Sequence, residues 1–157
     1  MSHVTQGTLL LHRLGVAFTL HPYDYDPDAP RVGLQAAEAL GVDPARLFKT
    51  LMAEVDGRPV CVVVPSDADV SMKKLAATFG GKSAAMMKVS DAERLTGYKV
   101  GGIGPFAQKR KVPTALDETA VLWDRIYVNA GQRGLLLSIA TADAVAAADM
   151  KVADLTA

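Results

Sequence analysis

Phe48-Lys49-Thr50-Leu51-Met52-Ala53-Glu54-Val55, then Asp56-Gly57, then Val60-Cys61-Val62-Val63-Val64 reads as a strand, a tight turn and a returning strand. Asp-Gly between two apolar runs is a strong short-range hairpin signal. Lys49 is out of place in a stretch otherwise fit for burial. A lysine at the mouth of an apolar strand can be desolvated, which makes it an anion anchor or a base. Further along comes Gly101-Gly102-Ile103-Gly104-Pro105-Phe106. Such a loop can bring bare backbone amides against a ligand. Together the two features predict a pocket for an anionic or carbonyl-bearing substrate.

Outward from the hairpin, Thr5 to Leu14 has helical spacing and stops at Gly15, and Val16 to Tyr23 reads as a strand before the Asp/Pro-rich segment from Asp24 to Pro30. A helix is expected from about Val32 to Leu40, ending at Gly41, with Asp43-Pro44 opening a short turn. Ser71 to Phe79 reads as a helix closed by Gly80-Gly81, and Ala84 to Lys88 as a short strand. Ser90-Asp91-Ala92-Glu93 has the capping-box pattern for a helix ending near Gly97. From Gly97 to Pro113 the chain lacks regular propensity, and loops of that length are usually functional. Arg125 to Asn129 and Leu135 to Ile139 form a second hairpin around Ala130-Gly131, Thr141 caps a helix to about Ala148, and Val152 to Leu155 adds an edge strand. The fold class expected is α+β, a mixed, largely antiparallel curled sheet with flanking helices, curling toward a barrel.

The chain has 157 residues, half of them hydrophobic, which suits one domain over residues 1–157 with a good core. Its apolar runs are short and broken by charge, so neither a membrane span nor a secretory leader is expected. The single cysteine, Cys61, rules out an internal disulfide and a cysteine-rich zinc site, and it agrees with a reducing cytoplasm.

Net charge is zero but unevenly spread. Residues 1–70 carry 5 basic and 9 acidic groups (net −4), residues 71–111 carry 9 and 2 (net +7), and residues 112–157 carry 3 and 6 (net −3). In the basic block, Lys73, Lys74, Lys82, Lys88, Lys99, Lys109, Arg110 and Lys111 can follow a phosphate backbone if the fold gathers them on one face; otherwise they are a solvated surface. Lys109-Arg110-Lys111 directly follows the glycine loop, which favours the first reading.

Familiar catalytic sets are missing. Cys61 sits between valines in a core strand and reads as an inert thiol. His3, His12 and His21 match no zinc signature, and no Gly-x-Ser-x-Gly elbow occurs. Pro105 and a basic loop follow the glycines, where a dinucleotide fingerprint needs a helix. What is left is a lysine, a glycine loop and some hydroxyls, able to position a substrate and polarise its carbonyl. The same residues also allow a purely structural reading, with Lys49 extending its head into water and the glycines making turns.

Several short stretches, in order, carry more. They are His21-Pro22-Tyr23; Val42-Asp43-Pro44 leading to Phe48-Lys49-Thr50-Leu51; Met72-Lys73-Lys74-Leu75-Ala76; Thr96-Gly97-Tyr98 through Gly101-Gly102-Ile103-Gly104-Pro105; Gln108-Lys109-Arg110; and Ile126-Tyr127-Val128 with Gly131-Gln132-Arg133-Gly134-Leu135. With these, residues 8–155 resemble the YbaK/EbsC family of free-standing aminoacyl-tRNA deacylases, relatives of the editing domain inserted in bacterial prolyl-tRNA synthetases.

The resemblance implies trans editing, the removal of a wrong amino acid, typically cysteine or alanine, from tRNA. It assigns Lys49 to the lysine most important for activity, at the substrate's terminal adenosine or ester, with Gly101 as the other catalytic position. Tyr23, Phe48, Thr50 and Asn129 fall in the substrate pocket, and the backbone of Gly102, Ile103, Gly104 and Pro105 faces the aminoacyl ester. Lys73, Lys74, Lys109, Arg110 and Lys111 would hold tRNA. In this family a cysteinyl substrate is thought to attack its own ester through its thiol, which makes a protein nucleophile unnecessary. The expected partners are the aminoacylated 3′ end of tRNA and a prolyl-tRNA synthetase, without DNA, membrane, metal or cofactor. Two positions depart from the cysteinyl-specific pattern. Leu136 stands where an aspartate would, making that wall apolar, and Asn129 stands where a serine would. A tRNA- or nucleotide-binding module without turnover, and a metabolic enzyme or binder for a small carboxylate or nucleotide sharing only the fold, are the competing readings.

Overall fold

Asp56 and Gly57 both take positive φ, 50° and 81°, the left-handed pair that lets a two-residue turn match the twist of its strands. They join β2 (Phe48–Val55) to β3 (Arg58–Pro65), with Val55 opposite Arg58 and Phe48 opposite Pro65. The computed structural model describes residues 3–30 and 34–157. The remaining strands are β1 (Phe18–Pro22), β4 (Ala84–Met86), β5 (Thr114–Asp117), β6 (Arg125–Gln132), β7 (Leu135–Ala140) and β8 (Met150–Ala153). The helices are α1 (Gln6–Arg13), α2 (Gln35–Leu40), α3 (Met72–Thr78), α4 (Val89–Thr96) and α5 (Thr141–Ala148). None of the described helices is long and apolar enough to cross a membrane.

The strands form a five-stranded sheet in the order β4-β2-β3-β5-β8 and a three-stranded sheet in the order β1-β7-β6. All pairs are antiparallel except β3 with β5 and β5 with β8. This is the expected mixed α+β architecture, and its sheets do not close into a barrel. The larger sheet ends at β4 and β8, and it meets the smaller one through the bridge between Leu47 and Tyr127.

Phe48, Met52, Cys61, Val63 and Leu116 from the larger sheet pack against Ile126, Val128, Leu135, Leu137 and Ile139 from the smaller, with Leu11 of α1. On the opposite face Ala53, Val55, Val60, Val62 and Val64 pack with Leu75 and Ala76 of α3 and with Leu155. Burial on both faces explains the unbroken apolar run from Val60 to Val64. It also explains why β5 escapes a reading by alternation, since all four of its residues are buried.

Some local expectations shift. Helix α2 ends at Gly41 (φ 66°) as expected, while Val32, its expected start, lies outside the described residues. The capping box at Ser90 does not form. Strand β4 stops at Met86, although Met87 still donates its N–H to Met52 O, and α4 starts at Val89 behind Lys88 with no side-chain cap. Thr141 does not cap α5; it is the first helical residue, and its hydroxyl donates to Trp123 O at 2.6 Å. The β6–β7 turn lies at Arg133-Gly134, not Ala130-Gly131. Asn129 Oδ1 accepts from the N–H groups of Gly131 (2.7 Å) and Gln132 (3.0 Å), building a bulge that carries β6 further. The edge strand expected at Val152–Leu155 runs Met150–Ala153, and Leu155 is buried beyond it.

Asp117, fully buried, ties this end together. Its carboxylate accepts from Leu155 N–H at 3.0 Å and from Thr119 N–H and Oγ1 at 3.2 and 2.6 Å. Asp117→Ala leaves three donors without their acceptor, the buried Leu155 N–H among them, so urea denaturation is expected to show a loss of about 3 kcal/mol.

Candidate active site

Lys49 follows Phe48, the residue that β2 buries in the core between the sheets. It is half-buried and lines a cavity of about 330 Å³ together with Tyr23, Thr50, Gly101, Ile103 and Asn129. Among the described residues no side-chain partner approaches the Lys49 ammonium to hydrogen-bond or ion-pair distance. Next to it, Thr50 is 8% exposed, and its buried Oγ1 has no hydrogen-bond partner. An unpaired buried hydroxyl costs roughly 1–3 kcal/mol, and such groups gather where a ligand is to complete them.

The rest of the cavity is mostly apolar. Leu47, Leu136 and Ala36 form one wall, backed by α2, and Leu51, Met52, Met86, Met87, Val89, Ala92 and Val100 line other parts. Tyr25, unmarked in the sequence reading, is a further wall residue. The guanidinium of Arg133 lies 5.5 Å from its ring centroid, and a Cβ on Gly101 (φ 89°) would meet its Oη at 2.5 Å. The alternation Tyr23-Asp24-Tyr25 was the signal that could have found it. Burial, the neighbouring Tyr25 and, in the opposite sense, a backbone bond to Gly134 leave the Tyr23 phenol with a raised pKa, so it is neutral at physiological pH.

The glycine loop divides its work. Gly101 and Ile103 line the cavity, whereas Gly102, Gly104 and Pro105 are buried and do not. Gly102 and Gly104 are needed for packing: an added Cβ would stand 2.6 Å from Arg133 N and 2.5 Å from Asn129 O, respectively. The loop is then fastened by side chains. Asn129 Nδ2 donates to Gly101 O at 3.3 Å, Arg133 Nε to Val100 O at 2.8 Å, Gln108 Nε2 to Gly104 O at 3.1 Å and Tyr98 Oη to Phe106 O at 2.6 Å. The long segment without regular structure is therefore held in one shape.

The basic residues come from different parts of the fold. Lys73 and Lys74 are exposed on α3, and Lys74 pairs with Asp154 at 2.9 Å. Lys109 and Arg110 line a second depression, of about 470 Å³, with Glu54, Asp91 and Arg94, and it shares Met87 with the first cavity. Lys111 lies 4.0 Å from Asp149. Cys61 is fully buried in the core, and desolvation, partly opposed by bonds from Gln108 and Thr114, pushes its thiol up to about 12. No group of three or more His, Cys, Asp or Glu able to hold a metal occurs among the described residues.

With this geometry in view, the sequence model of the aminoacyl-tRNA editing domain matches residues 27–147. The chain belongs to that family. The matched span holds every expected site residue except Tyr23. EbsC of Enterococcus faecalis, named as a candidate Cys-tRNA(Pro)/Cys-tRNA(Cys) deacylase, is 39% identical over 105 residues, which make up 66% of this chain and 64% of EbsC. YwhH of Bacillus subtilis is 30% identical over 67% of each chain. The proline–tRNA ligase of Maridesulfovibrio salexigens is 36% identical over 48% of this chain but only 13% of the ligase. The crystal structure of a candidate trans-editing enzyme for prolyl tRNA synthetase superposes with a TM-score of 0.84 at 20% identity over 99% of both chains, a likeness of fold.

Two measurements test this architecture. Gly104→Ala forces the loop off the Asn129 backbone and is expected to lower stability by about 1–3 kcal/mol in urea titration. Cys61 is expected to resist a thiol reagent at pH 8 in the native state and to react fully once unfolded.

Proposed function

We propose that this editing domain, spanning residues 1–157, is a cytoplasmic aminoacyl-tRNA deacylase that clears mischarged tRNA in trans. Cysteine on proline tRNA is the leading substrate, with alanine or another small acyl group next. One observation carries the reading: an unpartnered lysine and an unpartnered buried threonine hydroxyl stand side by side in a mostly apolar cavity. Such a pair suits a ligand with an anionic end and a polar ester. The similarity to EbsC and to segments of proline–tRNA ligases supports tRNA as the carrier and a prolyl-tRNA synthetase as a partner.

In this proposal Lys49 anchors the charged 3′ end and steadies negative charge developing on the ester oxygen. Thr50 hydrogen-bonds the acyl group, Phe48 fixes the strand, Tyr23 and Asn129 bound the pocket, and the backbone of Gly101 and Ile103 faces the ester. Gly102, Gly104 and Pro105 hold that backbone in place. Among the described residues the lining contains no histidine, carboxylate or cysteine, and in this proposal the attacking group comes from the substrate or from water. With a cysteinyl ester the substrate sulfur attacks the carbonyl carbon and the bond to the 3′ oxygen breaks. The thiol proton ends on that oxygen, releasing a thiolactone and free tRNA. With other small acyl groups water adds instead and the free amino acid leaves. Lys73, Lys74, Lys109, Arg110 and Lys111 are proposed to meet the RNA backbone from separate patches.

A second reading, a tRNA- or nucleotide-binding module beside a synthetase, draws support from the same lack of a histidine, carboxylate or cysteine in the lining among the described residues. Deacylation of tRNA charged with cysteine, alanine, serine or proline separates the two. For the substrate turned over fastest, Lys49→Ala is expected to reduce kcat/KM by about 10²–10³. Equal rates for variant and native chain would remove Lys49 from the mechanism, and salt-sensitive binding without turnover would favour the binding module.

A further inference from the structure

An aminoacyl ester carries an α-amine that is substantially protonated near neutral pH, and a site built for an ammonium supplies a carboxylate or a set of free carbonyls to receive it. The carboxylate is missing among the described residues. Among the described residues its lining includes no Asp or Glu, and the undescribed positions, Met1, Ser2, Arg31, Val32 and Gly33, include none in sequence. The Gly101 carbonyl already accepts from Asn129 Nδ2 at 3.3 Å. The charged group present is Lys49, which repels a second cation at short range. Leu136 is 3% exposed and packed with Ala36, Ala37 and Leu47, so it adds only apolar wall. The unsatisfied buried group is Thr50 Oγ1, a neutral donor and acceptor.

We propose that the acyl subsite takes an acyl group whose α-substituent is uncharged, so that 2-hydroxyacyl esters of tRNA are substrates on a par with the corresponding aminoacyl esters. The inference rests on the deacylase reading and adds a second substrate class to it. Thr50 Oγ1 serves an α-hydroxyl or a neutral α-amine equally well, and an α-ammonium has to lose its proton first. The chemistry is unchanged. Water, or a β-thiol of the substrate, adds to the ester carbonyl, the bond to the 3′ oxygen breaks, and that oxygen takes the proton, leaving a 2-hydroxy acid or its thiolactone.

The test uses the native chain and two isosteric pairs of tRNA esters: alanyl with lactyl, and cysteinyl with 2-hydroxy-3-mercaptopropionyl. Each rate is divided by the spontaneous rate of the same ester. Where an amine is recognised by a charge-assisted hydrogen bond, its replacement by hydroxyl costs about tenfold to a hundredfold. Here the hydroxyacyl member is expected to match the aminoacyl member within about threefold or to exceed it. A loss of about tenfold or more in the hydroxyacyl member overturns the inference while leaving the deacylase reading intact. No cleavage of any of the four esters overturns both. Leu136→Asp, compared with the neutral isostere Leu136→Asn, is expected to shift the ratio toward the aminoacyl ester by about tenfold, and an unchanged ratio between the two folded variants counts against the proposal.

Discussion

The candidate site depends on a close approach of one backbone to another. Gly102 and Gly104 lie so near the β6–β7 hairpin that an added Cβ would stand 2.6 Å from Arg133 N or 2.5 Å from Asn129 O. This contact presses the loop carrying Gly101 and Ile103 against the smaller sheet, while Lys49 and Thr50 come from the larger one. The cavity is the space left between them. Four side-chain bonds fasten the loop on this side of the cavity without any regular secondary structure.

The second constraint is electrostatic. A half-buried lysine with no counter-ion and a buried hydroxyl with no partner among the described residues are both costly in a finished core. Other polar groups of this chain show the usual outcome: Asp117 is satisfied three times over, and Asn129 is satisfied at both ends of its amide. Exceptions placed side by side in a cavity therefore point to a partner that the chain itself does not supply. The apolar wall at Leu136 and the lack of any acidic side chain then restrict that partner to something negative or neutral at its polar end.

Much of this was legible in the residues. The Asp56-Gly57 hairpin, the glycine stop at Gly41, the helix after Ser71 and the unstructured segment from Gly97 all depend on local rules of φ and capping. Features governed by distant neighbours were misread. Trp123 O took the Thr141 hydroxyl, and Asn129 pushed the second hairpin turn onward to Arg133-Gly134. Strand β5 was missed because burial on both faces erases the alternation that would reveal it.

Sequence alone determined which residues had to be explained: a lysine in an apolar strand, glycines in a cluster, and an absence of nucleophile–base pairs. Those are properties of residue type and order. Only the tertiary structure decided what each does, because Gly101 and Gly102 are chemically identical, yet one lines the cavity and the other is packed behind it. The same holds for the basic block. Lys73 and Lys109 both sit in a run of positive charge, but one is an exposed residue of α3 and the other lines a depression with Glu54 and Asp91. Charge along a chain is additive, whereas the field a ligand meets depends on distances that the packing of distant segments sets.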